Sequence, residues 1–454
     1  MTHSTPRRIV QFVLGNVRRD ARVRKTGRAL IERGHSVTYV GLDLSQDRAA
    51  PRFSYVGELD SAPFYQINRS QRLYDVALKT LNSFNPLYQH GDGISSSFKN
   101  LASPEAPFSS RQRIQTLALL PSYVSVLAAH KSGLLQKVSD LKSRFEDEAQ
   151  KEAKFILGLN PEIIHAHDLA AFAAIAPYVN STQTKLIYDS HELESGRNWL
   201  NPNTEEIQAH IELEEKWINK ADRVITVGHA VAAAINKKFP RVHPIVIANA
   251  QPKANIRKNT PLRERLNLPS DAKTILYLGG ITAARGLEPL LSVFEKLPGN
   301  IHLVLMGPIA PAFKEKFSAA INALPNSSER IHVLAPVAYE NVIFEAYGAD
   351  LGFNALELTC ESYKCALPNK FFEYVFADIP VLSTPQREIV ELTREFKLGR
   401  IIPENDLDEL QNAIQSVLTE APLSIPHDKR EEFINSYCWE AQTKKLHQLY
   451  DAID

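Results

Sequence analysis

Short, β-rich apolar runs alternate with segments of helical period along this chain, and the alternation starts afresh past the midpoint. That pattern restricts the fold to parallel, doubly wound sheets, because a strand returns parallel to its predecessor only through a long crossover, usually a helix. In the first series, strands are expected at Ile9–Leu14, Ser36–Gly41, Ile163–His165, Lys185–Tyr188, Arg223–Val227 and Ile245–Ala248. A helix over Ala21–Arg33 exits through Gly34 and His35. In the second series, strands are expected at Ile275–Leu278, His302–Met306, Ile331–Leu334, Asp350–Asn354 and Val381–Ser383. Helices fit Gly286–Leu297, Ala312–Leu324, Asn341–Tyr347, Asn369–Phe376 and Asp408–Leu418. At 454 residues the chain also exceeds one ordinary hydrophobic core. The expected class is therefore α/β, with a Rossmann-like domain over 1–258, a second over 259–425 and closing helices over 426–454. The last of these helices, Tyr437–Ile453, carries Trp439, Leu446 and Leu449 on an apolar face.

A stretch of about a hundred residues, 51–155, separates the second and third strands, far more than an ordinary connection. It is expected to form an inserted helical subdomain that covers the sheet or shapes an acceptor side. Its mixed apolar and basic segments, Ser70–Leu87 and Arg111–Val138, fit either packing against that sheet or contact with a membrane surface. Lys plus Arg and Asp plus Glu both number 52, which argues against a general nucleic-acid partner. Three cysteines without paired C-x-x-C spacing indicate neither a disulfide framework nor a zinc site. The short polar start and the lack of a long apolar run point to a cytoplasmic location, with peripheral attachment to the inner membrane face as an option.

The segment Leu367-Pro368-Asn369-Lys370-Phe371-Phe372-Glu373-Tyr374 holds the clearest chemistry. Proline ahead of an apolar helical run reads as a helix opening, and such an opening offers backbone N–H groups and partial positive charge to a phosphate. Glu373, one turn inside, suits a pair of sugar hydroxyls. The competing reading makes Phe371, Phe372 and Tyr374 helix core, with Lys370 and Glu373 a solvated i, i+3 pair. About ninety residues earlier, Leu278-Gly279-Gly280-Ile281-Thr282-Ala283-Ala284-Arg285-Gly286 joins a strand to a helix through a small-residue turn. Its glycines permit close backbone approach to a ligand, and Arg285 offers planar, bidentate hydrogen bonds to phosphate.

Taken together, these two segments resemble the donor site of retaining glycosyltransferases of family 4, which have the GT-B fold. The resemblance covers residues 8–42 and about 160–454. It implies two Rossmann-like domains facing across a cleft, with Gly279, Gly280, Arg285, Asn369, Lys370 and Glu373 on the donor. The donor would be a nucleotide sugar, most simply a UDP- or GDP-sugar, with no further cofactor required. Two departures from the family pattern stand out. Gly280 and Ile281 occupy the place of a second basic residue, and the position eight before Glu373, usually a glutamate, is Cys365. Glu361 and Lys364 lie near enough to substitute.

In the first series, Ile163-Ile164-His165-Ala166-His167-Asp168 ends a strand with two histidines pointing the same way. A structural role and a metal pair are both open on the residues alone, although no third ligand is identifiable. The resemblance places His167 beside the transferred sugar, and with Arg285 it forms the expected catalytic pair. Asp189 and His191, in Tyr188-Asp189-Ser190-His191-Glu192, resemble a cleft-facing loop on the acceptor side, where Gly15, Asn16 and Arg22 would also lie. Helix capping is the alternative for Asp189 and for Asp20, and it is the favoured reading of Asp406-Leu407-Asp408, so no metal is expected. The expected function is transfer of a sugar to a glycan or lipid-linked acceptor with retention of configuration. A sugar-nucleotide epimerase of the same architecture and a non-catalytic nucleotide-binding homologue are the alternatives.

Overall fold

A computed structural model describes residues 5–45, 53–70, 149–180, 183–197, 204–404 and 406–453. Two sheets form the frame. The first has eight strands: β1 (Arg8–Leu14), β2 (Ser36–Ser45), β3 (Phe53–Leu59), β4 (Ala62–Ser70), β5 (Ile163–His167), β6 (Lys185–Ser190), β7 (Arg223–Thr226) and β8 (Ile245–Val246), in the order β3-β4-β2-β1-β5-β6-β7-β8. Only β3 and β4 pair antiparallel among these strands. The second has six, in the order β11-β10-β9-β12-β13-β14: β9 (Lys273–Leu278), β10 (Ile301–Met306), β11 (Ile331–Leu334), β12 (Leu351–Asn354), β13 (Val381–Ser383) and β14 (Gly399–Ile401). All its pairs are parallel. Every residue of β5 and of β10 is buried, as strands covered by helices on both faces must be.

Strand order reverses beside β1 in the first sheet and beside β9 in the second. Such switch points open a crevice at the carboxyl ends of the strands, which is where ligands bind in open α/β sheets. Both glycine turns of the sequence, Gly15 and Gly279–Gly280, leave the sheets there.

The C-terminal helices tie the two halves together. Helix His427–Tyr437 presses Phe433 against Phe371, Phe372, Phe376 and Phe396 of the second domain. Cys438, with extended φ and ψ of −61° and 157°, then turns the chain into helix Trp439–Asp451. Trp439, Leu446, Leu449 and Tyr450 of that helix are buried with Ile9, Val23 and Leu30 of the first domain. The chain thus crosses back onto its N-terminal half.

The 51–155 region begins differently from the expected helical insert. Residues 53–70 form a hairpin, and β4 extends the sheet parallel to β2. Its tight turn, Asp60-Ser61, has φ of 54° and 64°, the double left-handed geometry of a two-residue hairpin connection. A helix spans 149–158 at the other end, and the expected segments between lie outside the described residues. No described helix is long and apolar enough to cross a membrane.

Candidate active site

The residues expected to hold a donor are positioned at the ends of β9 and β12. Gly279 leaves β9 at φ 107°, and Gly286 opens helix Leu287–Phe294 at φ 71°. A Cβ on Gly286 would sit 1.9 Å from the Ala355 carbonyl oxygen, so this turn requires glycine. Between them Arg285 lays its guanidinium 5.3 Å over the Tyr363 ring. Lys370, in the first turn of helix Asn369–Phe376, holds its ammonium 3.7 Å over the Tyr277 ring, and no side chain caps that helix. Glu373 is only 8% exposed and accepts from Gln251 Nε2 at 3.4 Å. Burial pushes its carboxyl up to about 7, against the opposing pull of Gln251, Lys370 and Lys25. Burial likewise holds Lys370 well below the usual lysine range, with Arg285 adding repulsion. Lys370 and Glu373 are therefore no solvated surface pair.

Facing them, the carboxyl ends of β1, β5 and β6 gather a buried ionic network. Arg22 grips Asp189 with two bonds of 2.8 Å, Nε to Oδ2 and Nη2 to Oδ1, and gives Nη1 to the Ile247 carbonyl. Burial raises the Asp189 carboxyl, but Arg22 and the surrounding histidines outweigh it and hold the group well below the carboxylate range. His165 contacts Tyr450 Oη at 2.9 Å and Asp189 at 3.4 Å. His167 is flanked by Gln11 Oε1 at 2.7 Å from Nε2 and by His191 Nε2 at 3.2 Å from Nδ1. Burial lowers both strand histidines and keeps them neutral. His191 is opposite in sign: burial pulls it down, yet Asp168 at 3.3 Å and Asp189 raise it on balance. When protonated, His191 donates to Asp168 from Nδ1 and to His167 from Nε2, which leaves the His167 Nε2–H for Gln11.

His165, His167 and Asp189 bring donor atoms within 4.8 Å of one another, the distance range of a metal cluster. Their geometry is wrong for one. The two imidazole rings stack at 4.4 Å and 6°, so one ion cannot lie in both ring planes, and Arg22 already occupies both Asp189 oxygens. The cluster is a hydrogen-bonded charge network.

A cavity of about 310 Å³ lies between the walls, and Arg22, His191, Arg285 and Asn369 line it. The structure thus brings two of the expected donor-side residues, Arg285 and Asn369, together with two of the expected acceptor-side ones, Arg22 and His191. His167 stands behind His191, fully buried with both ring nitrogens engaged, and does not line that cavity. Lys370 and Glu373 do not line it: Lys370, one residue after Asn369, stands near Gly279, whose added Cβ would fall 3.9 Å from Lys370 Cε, and Glu373 faces Gln251, Lys25 and Tyr339. Gly280, next in the turn, has open space where a Cβ would stand and accepts the Tyr277 hydroxyl on its carbonyl. Asn16 instead caps the short turn Val17–Arg19 beside Gly15, and Asp20 caps helix Ala21–Glu32 through the Arg22 and Val23 amides. Asp406 is a helix cap as well. Three participants were invisible in the sequence: Gln11, Tyr450 and Lys25, whose ammonium bonds Asn249 and Ala250 in its own domain and the Tyr339 hydroxyl across the cleft. A pattern of local spacing carries no signal for partners so far apart in the chain.

Two family profiles match adjoining parts of the chain, Glycosyltransferase Family 4 over residues 106–250 and Glycosyl transferases group 1 over 272–420. The chain is a GT-B protein related to the family 4 glycosyltransferases. Similar solved structures agree on the fold. Sucrose-phosphate synthase from Thermosynechococcus elongatus superposes with a TM-score of 0.65 at 16% identity, covering 98% of each chain. A glycosyltransferase from Rickettsia africae gives 0.60 at 15% identity over 99% of both chains. Anabaena HepE, solved with UDP, gives 0.61 at 12% identity, covering 98% of this chain and all of its own. No curated protein sequence matches the chain. In GT-B terms, the β9–β12 wall is the C-terminal half of the cleft and the histidine network the N-terminal half.

Proposed function

We propose that this protein transfers a sugar from a nucleotide-sugar donor to a glycan or lipid-linked acceptor, with retention of configuration. The observation that carries the reading is the convergence of Arg285, Asn369 and His191 on one cavity, with Lys370 and Glu373 on the helix that Asn369 opens. Arg285, Lys370 and the uncapped helix start supply positive charge where a departing diphosphate gains negative charge. Glu373 accepts hydrogen bonds from the ribose hydroxyls. The bond from the anomeric carbon to the diphosphate breaks, the acceptor oxygen bonds to that carbon, and the acceptor proton leaves with the diphosphate. His191 meets the transferring sugar from the opposite wall, while His167 acts through it as a positioning residue. No enzyme nucleophile and no metal enter this scheme. The likeness to HepE, solved with UDP, supports a uridine nucleotide as the first donor to try.

A thermal-shift series with UDP, GDP, ADP and their sugar conjugates tests the reading, because a ligand that binds only the folded state raises its apparent stability. One nucleotide series should stabilise the protein, and Glu373→Ala should abolish the shift. Binding without turnover on any acceptor would favour a non-catalytic homologue. Epimer formation without acceptor would favour the epimerase.

A further inference from the structure

We propose that the cleft holds a second anion site, a cavity on the first-domain side that takes a phosphate group other than the donor's. This inference rests on the glycosyltransferase reading, in which the donor diphosphate lies at Arg285 and Asn369. A cavity of about 620 Å³ is lined by Arg18, Arg24, Lys25 and Arg28 of the first domain, with Tyr339 and Glu340 among the second-domain residues opposite. It shares no lining residue with the 310 Å³ cavity. Lys25 stands between the two, since its ammonium bonds Asn249, which lines the smaller one, at 2.8 Å.

Three guanidiniums thus face one lining carboxylate, Glu340, which stands 3.7 Å from Arg24 Nη1. Asp60, outside the lining, is shared between two of them. Arg24 reaches it with Nε and Nη2 at 3.2 Å, and Arg28 with Nε at 2.7 Å and Nη2 at 2.6 Å. Arg28 Nη1 has no partner among the described residues. Arg18 is exposed, holds its guanidinium 5.9 Å from the Phe64 ring and meets no carboxylate among the described residues. Helix stability does not account for this cluster. Arg24 and Arg28 are like charges at i, i+4 on helix Ala21–Glu32, and Arg24 lies near its N-terminus, where the helix dipole disfavours a cation. A bound anion offsets both costs, and guanidinium forks match phosphate oxygens. Arg18 follows Gly15 and Asn16, which leave β1 on the side expected to hold the acceptor, so a phosphorylated acceptor is the first source to test. A free phosphate ion is the other.

Calorimetry on the full chain, with the nucleotide found by thermal shift held at saturation, tests the site. Glucose 6-phosphate against glucose probes a phosphorylated sugar, farnesyl phosphate against farnesol a phosphorylated lipid, and inorganic phosphate the free ion. At least one phosphate-bearing probe should bind, and glucose and farnesol should not. Which probe binds separates an acceptor phosphate from a free one. The double variant Arg18→Ala/Arg28→Ala should weaken that binding about tenfold or more and leave the nucleotide Kd unchanged. Arg24 stays in place to hold Asp60, so the hairpin keeps its anchor. Lys258→Ala, which removes an exposed charge outside the lining, should change neither affinity. If the nucleotide binds but no phosphate probe does, or if probe binding survives the double variant, the inference is overturned and the glycosyltransferase reading stands. An equal loss of nucleotide affinity in the double variant also overturns it, because the cavity would then belong to the donor. If no nucleotide binds at all, both readings fall.

Discussion

Asp189 has its charge fully committed inside the protein, since Arg22 binds both of its oxygens and both side chains are buried. Removing one partner of such a pair strands the other, which costs about 3–5 kcal/mol, whereas replacing both by apolar residues is often close to neutral. Asp189→Ala should therefore lower stability by about that amount in urea denaturation. The double variant Arg22→Met/Asp189→Leu should lose less than the single one. An additive double loss would show that the pair is not the unit of stability here. Glu373 makes the opposite case. Its folded-state value, raised from 4.5 to about 7 by burial, means that the folded protein keeps a proton the unfolded chain has already released. Stability from this group is then complete below the unfolded value and falls as pH rises toward 7, by roughly 3 kcal/mol in all. Glu373→Gln should match the wild type near pH 4, exceed it in urea midpoint at pH 8, and bind nucleotide more weakly. A midpoint difference independent of pH would contradict the assignment.

Helix Asn369–Phe376 is held to the molecule by its aromatic face, with Phe433 the common neighbour of Phe371, Phe372 and Phe376. Phe433→Ala should cost about 3–5 kcal/mol, measured by chemical denaturation, since the surrounding rings cannot collapse fully into the vacated space. The Gly286 turn is the backbone counterpart. Gly286→Ala combines a left-handed φ of 71° with a 1.9 Å approach to a carbonyl oxygen, so a loss on the order of 2 kcal/mol or more is expected. These elements were also the legible ones. Helix Asn369–Phe376 and strands Ile331–Leu334 and Val381–Ser383 have the bounds their residues predict, because each is a dense apolar run with a clear break at its end. The hairpin at 53–70 was not legible, for its strands mix polar with apolar residues and its Asp60-Ser61 turn lacks glycine. Strand β14 is three half-buried residues without a distinct pattern, and helix His427–Tyr437 has only Phe433 and Ile434 fully buried. In the site, residue types at His165, His167, Asp189 and His191 were readable in sequence. Their order from core to cavity was not, because it depends on Gln11, Arg22 and Tyr450, which reach them from distant elements.

The two domains meet through contacts that bridge the cleft at several points. Lys25 of the first domain donates to the Tyr339 hydroxyl at 2.6 Å, Glu388 of the second accepts from the Ala230 amide at 3.1 Å, and Ser362 donates to Glu192 at 3.2 Å. Near the last of these the backbones approach so closely that a Cβ on Gly196 would lie 3.0 Å from Glu361 Cβ and 3.1 Å from the Ser362 amide nitrogen. Those neighbours belong to the segment that supplies Ser362, Tyr363 and Ala366 to the cavity. Within its own domain the same Cβ would meet the Leu193 Cδ2 side-chain end, also at 3.0 Å. The second-domain neighbours are a Cβ and a backbone amide that cannot swing away, so a branched side chain at 196 acts chiefly as a wedge between domains. Gly196→Val should therefore enlarge the radius of gyration in small-angle scattering and weaken nucleotide-sugar binding, while each domain keeps its cooperative unfolding. Gly299→Val is the matched control, because its added Cβ meets nothing within 4 Å. If Gly196→Val leaves both the scattering and the affinity unchanged, the cleft width is set by the remaining bridges, and the site does not depend on this close approach.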